Sequence, residues 1–253
     1  MAQKPSIAML VGMLLGMSLH AHASILLTAG PNTGASPQTW SVENVQLNSS
    51  GQIISRESAV YQADRAFLRA EADVINDQWP PHPAPYAGIL VSDVVVNSRA
   101  GTTPPPGTTT MVQFGGHLEG GMTGSGGGSV QLDLIVPGKT NRHVAMSADE
   151  FPVSDFFYTS PFTVTIGQPF TVEARLTIGV SALPGHATVD FGDSFTFDPS
   201  AVLQLEPGFT ASSASWGLVD NRLPAAAVPE PPAAGLALLS LILIWTIKNW
   251  NKD

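Results

Sequence analysis

Eleven consecutive residues, Phe170 to Val180, alternate without a break. Phe170, Val172, Ala174, Leu176, Ile178 and Val180 are apolar, and Thr171, Glu173, Arg175, Thr177 and Gly179 lie between them. Successive side chains of a strand point to opposite faces, so this run has one apolar and one wet face. A helix would scatter the same residues around its axis. The apolar face needs a second layer over it, and shorter runs of the same period supply candidates. Val130, Leu132, Leu134 and Val136 alternate and stop at Pro137-Gly138, a turn signal. Phe162, Val164 and Ile166 precede the long run, with Gly167-Gln168-Pro169 as the turn between. Val189 and Phe191, then Phe195 and Phe197, flank Gly192-Asp193. Val112, Phe114 and Leu118 carry another strand, interrupted by Gly115-Gly116. Trp40, Val42, Val45 and Leu47 mark a first strand, and Gly88–Asn97 is a β-branched run suited to a strand buried on both faces.

One segment reads two ways. Ala59, Ala63, Ala66, Phe67, Ala70 and Val74 fall near helical spacing, and alanine favours helix. Leu68, Ala70, Ala72 and Val74 also alternate strictly with Arg69, Glu71 and Asp73. The β character of its neighbours favours strand over residues 57–74. The glycines of 115–129 form either a flexible loop or an edge hairpin of weak register. Many short strands, with turns drawn from 24 Gly and 21 Pro and no interleaved helices, predict an all-β body. The expected architecture is an antiparallel β-sandwich, jelly-roll-like, over residues 24–223.

Composition narrows the function. A net charge of −9 argues against a nucleic-acid partner. The absence of cysteine removes disulfide scaffolds, thiol enzymes and cysteine-ligated metals. Residues 24–227 hold 8 basic and 18 acidic side chains, so nearly all the net charge lies in the body.

The two ends carry targeting signals. Lys4 precedes an uncharged apolar run from Ile7 to Leu19, and Ala21-His22-Ala23 is a small-x-small cleavage site. Residues 1–23 are therefore expected to be a signal peptide removed by signal peptidase before Ser24. At the other end, 233–247 is apolar on all faces. As a helix it is short for a bilayer core, but its flanks extend it. Trp245 and Trp250 suit the interface, and Lys248 and Lys252 can snorkel. The expected order is a linker (224–232), a transmembrane helix (233–247) and a short cytoplasmic tail (248–253).

Catalytic signatures are missing. The histidines at 20, 22, 82, 117, 143 and 186 are dispersed, with no His-x-His, His-x-x-x-His or His-Glu-x-x-His spacing. No Gly-x-Ser-x-Gly elbow or phosphate loop occurs, and no carboxylate pair stands out among the 18 acids. No catalytic residue, metal ligand or cofactor is expected. Asp149-Glu150 with Asp155, and Asp190 with Asp193 and Asp198, are loop acids that could hold calcium or serve turns. Asn48-Ser49-Ser50 matches a glycosylation acceptor.

Val228-Pro229-Glu230-Pro231-Pro232 is the sharpest motif. Prolines on both sides of Glu230 hold this segment extended, ahead of the apolar run. Pro-Glu-Pro, apolar helix and basic tip in that order resemble the PEP-CTERM sorting signal of Gram-negative bacteria. The resemblance covers Val228 to Asp253, although the tip has Lys248 and Lys252 where the family usually clusters arginines. It implies that Pro229, Glu230 and Pro231 are recognised by an exosortase in the inner membrane. It also implies cleavage there and delivery to the cell surface or extracellular polysaccharide matrix. Ala187–Phe197, Pro207-Gly208-Phe209-Thr210 and Ser212–Arg222 resemble the closing stretch of such proteins.

The expectation is a non-enzymatic exported surface or matrix protein, biofilm-associated, held transiently in the inner membrane. The alternative is a carbohydrate-binding or carbohydrate-cleaving sandwich delivered by the same signal. Trp40, Trp79, Tyr86 and Trp216 can stack on sugars where they face solvent. Core packing is the other reading, and is favoured for Trp40 and Trp216.

Overall fold

The computed structural model describes residues 25–79, 85–99, 104–182, 184–198 and 201–224. The expected signal peptide, Pro-Glu-Pro segment, apolar helix and tail lie outside the described residues. Among the described residues no helix is long and apolar enough to cross a membrane.

The body is all-β, with two antiparallel eight-stranded sheets. Strands are numbered in chain order. Sheet I runs β10 (Thr140–Ser147), β9 (Gly127–Val136), β13 (Pro169–Ser181), β7 (Ala87–Ser98), β1 (Ile25–Ala29) and β2 (Asn32–Gly34). In the same sheet, β6 (Gln78–Trp79) pairs with β13 and β16 (Phe209–Ser212) with β7. Sheet II runs β11 (Val153–Tyr158), β8 (Thr109–Gly124), β14 (His186–Thr196), β5 (Phe67–Ile75), β4 (Ile53–Ala63) and β3 (Gln38–Leu47). Both β12 (Phe162–Thr165) and β15 (Leu203–Leu205) pair with the first half of β8.

The long alternating run is β13. Its six apolar residues from Phe170 to Val180 are buried, and it packs across the sandwich onto β5. Residues 57–74 are strands, as their alternation favours: β4 and β5 form a hairpin closed by Asp64-Arg65-Ala66. The alanines have a packing reason. Ala70 lies in register between Tyr61 of β4 and Phe191 of β14, and Ala72 between Ala59 and Val189. A small side chain between two rings lets all three share one layer of core.

Three expectations need correction. The run from Trp40 to Leu47 is not the first strand, because β1 and β2 precede it. Strand β7 is fully buried on one face only. Leu90 and Val95 on its other face are half-buried, and the buried phase shifts from Val91 to Val94 across Ser92-Asp93.

The third correction concerns the glycine run, which is neither a loose loop nor an edge hairpin. Its first part is the interior of β8, between β11 and β14. Ser125-Gly126 then turns the chain from sheet II into β9 of sheet I. A Cβ on Gly120 would strike the ring of Phe191, and one on Gly116 the ring of Phe195. The aromatics of β14 thus fill the volume that β8 leaves empty. Gly124 at the corner has φ +101, and a Cβ there would strike the carbonyl oxygen of His186. Only glycine takes that conformation without strain.

The chain after β16 closes one end of the sandwich. Trp216 is fully buried, edge-on to Phe197 (5.1 Å) and Phe114 (6.4 Å). Its indole Nε1–H donates to the Arg65 carbonyl in the β4–β5 turn (2.7 Å). The hydroxyls of Ser213 and Ser215 both donate to Asp93 on β7 (2.6 and 2.5 Å). This turn therefore bonds to both sheets.

Candidate functional site

Outward-facing residues of β8 and its neighbours build a continuous surface across sheet II. Along β8 these are Gly115, His117, Glu119, Gly121 and Thr123, every second residue. Strand β11 pairs with them in register: Tyr158 opposite Gly115, Phe156 opposite His117 and Ser154 opposite Glu119. Tyr158 lies against Gly115, where a Cβ would meet its ring at 2.6 Å. The Phe156 ring is 4.9 Å from the His117 imidazole and lies nearly parallel to Tyr158, with centroids 6.2 Å apart. His117 Nε2 and the Ser154 hydroxyl are 3.1 Å apart and share a hydrogen bond. Phe156 stays 53% exposed despite these contacts.

This strip leads into a groove of about 750 Å³ at the far end of β8. Gly120, Gly121, Gly124 and Gly126 contribute to its lining, with Phe151 and Pro152 beside them. The Phe151–Pro152 peptide is cis. Thr188 and Asp190 of β14 complete the lining with Glu119 and Thr123. Among the described residues, Glu119 and Asp190 are the charged side chains that line it. On β5, Glu71 is the register partner of Asp190, and both are exposed.

A polar network lies beside the groove. Asp73 of β5 accepts from Thr188 Oγ1 (2.7 Å) and pairs with His186 Nε2 (2.6 Å), while Arg56 reaches it at 3.8 Å. Partial burial pushes the Asp73 carboxyl up. The hydrogen bonds from Thr188 and His186, with the charges of His186 and Arg56, outweigh burial and hold it below the usual carboxylate range. Asp93, at the end plug, behaves alike. Burial raises it, and the Ser213 and Ser215 hydroxyls with the Ser215 N–H bring it below its ordinary value.

The expected sugar-stacking aromatics do not form one platform. Trp216 is sealed in the core, the reading favoured for it over sugar stacking. Trp40 is half-buried and lies against Gly30 and Tyr61. Tyr86 is half-buried over Gly88 and stacks with the Arg175 guanidinium, 5.4 Å from its centroid. The Trp79 side chain lies outside the described residues. So do Ala21, Ala23, Ser24, Pro229, Glu230, Pro231, Trp245, Lys248, Trp250 and Lys252.

Of the acids expected in loops, Asp155 lies in β11 and Asp190 in β14, and Asp149, Glu150 and Asp155 serve local structure. Glu150 accepts from the Ser147 N–H (2.7 Å) and Asp149 from the Ser147 hydroxyl (2.7 Å), capping a short 3-10 turn. Asp155 accepts from the Phe156 N–H (2.7 Å). Among the described residues no group of three or more His, Asp or Glu could hold a metal ion. Asn48 Oδ1 accepts from the Ser50 and Gln52 N–H groups (3.0 and 2.9 Å), shaping the β3–β4 turn.

Sequence reasoning passed over Phe156 and Tyr158. The available signal was aromatic residues at i and i+2, which places both rings on one face of a strand. No family model, curated protein or solved structure matches the chain at a significant level.

Proposed function

We propose that the chain is an exported, non-enzymatic surface or extracellular-matrix protein, a jelly-roll-like sandwich delivered by its C-terminal signal. In this reading signal peptidase removes residues 1–23. An inner-membrane exosortase of a Gram-negative bacterium then cuts at Pro229-Glu230-Pro231. The supporting observation is the sequence order after the body: Leu223, the last buried residue among those described, is followed in sequence by an Ala/Pro linker, Pro-Glu-Pro, an apolar run and a lysine-bearing tip. The repeated passage of the chain between sheets, as from β8 to β9 and from β12 to β13, supports the jelly-roll-like description.

Removal of Val228–Asp253 tests the sorting step. The truncated chain should fold as before and stay away from the cell surface and matrix. Normal delivery of that chain, or mass spectra of surface protein extending through Asp253, would overturn the reading.

A second reading has its own support. The exposed Phe156 ring, its two aromatic neighbours and the adjoining groove favour a body that holds carbohydrate in the matrix.

A further inference from the structure

We infer that the Phe156–Tyr158 strip on the outer face of sheet II binds an extended glycan of glucose configuration, in which every ring substituent is equatorial and successive rings are turned over. The inference rests on the carbohydrate reading above and names the sugar that this strip selects.

The strip is a braced aromatic surface. Phe156 is 53% exposed, and the His117 imidazole supports its ring from the β8 side, with centroids 4.9 Å apart. His117 is itself held: Nε2 shares a hydrogen bond with the Ser154 hydroxyl (3.1 Å), and Nδ1 lies 3.8 Å from the Glu119 carboxylate. A ring braced in this way gives up little freedom when a ligand settles on it. Tyr158, two residues on, tilts only 5° from Phe156, with centroids 6.2 Å apart. Two rings of one orientation on one face of a strand suit a ligand that is itself flat and repeating.

The chemistry of the sugar follows from that surface. A pyranose with only equatorial substituents carries axial C–H bonds on both faces, and such a face packs on an aromatic ring. Its hydroxyls radiate in the plane of the sugar, toward groups beside the aromatic. Ser154 and Glu119 stand there as register partners, and the carboxylate can accept from two neighbouring hydroxyls. Where successive sugars are turned over, neighbouring units offer opposite faces to one surface. Only the all-equatorial configuration keeps both faces free of hydroxyls, so it suits both rings. The area also fits a glycan better than a protein. The exposed part of Phe156 is on the order of 100 Å², against about 800 Å² per partner in a stable protein interface.

The test is calorimetric titration of the full-length chain with cellohexaose, the N-acetylglucosamine hexamer and mannohexaose. All three are uncharged, and mannose differs from glucose by one axial hydroxyl. At least one of the first two should bind about tenfold more tightly than mannohexaose. Phe156→Leu keeps an apolar side chain without the flat ring, and should weaken binding about tenfold, while Phe156→Tyr should preserve it. Circular dichroism checks that both variants fold. Mannohexaose binding as tightly as the other two overturns the configuration and leaves the carbohydrate reading standing. Unchanged affinity in Phe156→Leu overturns the site and also leaves that reading standing. Binding of no hexamer overturns the inference, and the carbohydrate reading falls with it if immobilised alginate and pectin also fail to retain the chain. Sedimentation in which Phe156→Leu splits a dimer overturns the inference too, since the strip would then join two copies of this chain.

Discussion

The ring of Phe191 occupies the space that a side chain on Gly120 would need. Ring atom Cε1 would lie 2.7 Å from a Cβ there, and the Asp190 carbonyl oxygen would be equally close. The two residues sit on adjacent strands, β8 and β14, and share the core layer that also holds Ala70 and Tyr61. Gly120→Ala should therefore destabilise the body by about 1–3 kcal/mol, the usual cost of overpacking. Gly127→Ala is the matched control. A Cβ there meets nothing within 4 Å, and its effect should stay within about 0.5 kcal/mol. Urea denaturation of both variants checks the contrast, and equal effects would refute it.

Asp93 and Ser213 lie 120 positions apart and join sheet I to the end plug. Asp93→Ala removes an acceptor used by two hydroxyls and the Ser215 N–H. The expected loss is about 2 kcal/mol, in line with hydrogen bonds to a charged acceptor. A midpoint unchanged in urea would show that the plug holds without it.

Both depressed carboxyls predict an acid-side loss of stability. Asp73 and Asp93 titrate below their unfolded values in the folded chain. Their contribution is therefore fully present above the unfolded value, about 3.9, and is lost as pH falls through the lower folded values. Melting temperature should drop below about pH 4, and less steeply in Asp93→Asn. A profile of identical slope in that variant would mean that Asp93 does not contribute.

Trp216→Ala should cost about 3–5 kcal/mol, the range for emptying a buried aromatic site. Trp216→Phe keeps part of the packing but drops the donor to the Arg65 carbonyl, so it should fall between Trp216→Ala and the parent. Thermal melts rank the three.

Strands with alternating side chains were legible from the sequence. The period in β13 and β9 is written mostly in residues that carry bulk, so it survives in a one-letter string. The β8 glycines hide theirs. At Gly116 and Gly120 the apolar volume belongs to Phe195 and Phe191, seventy or more positions later, and no local window joins them. Strand β11 escaped for a different reason: at an edge it carries Phe156 outward and Phe157 beside it, so its apolar residues do not alternate. The alanines of β4 and β5 blurred helix with strand because their small size answers neighbouring rings rather than backbone preference.

The end plug also has a mechanical consequence. Among the described residues Leu223 is the last one seated in the core, so a pull applied at this end of the body reaches the plug first. The load then divides. Part passes through Trp216 Nε1 to the β4–β5 turn, and part through Ser213 and Ser215 to β7. Asn221 adds a third path, since its side-chain amide bonds both backbone groups of Leu203 on β15 (3.0 and 2.7 Å). Tension from one end is shared between the two sheets, so it strains several cross-links together and does not peel a single strand away.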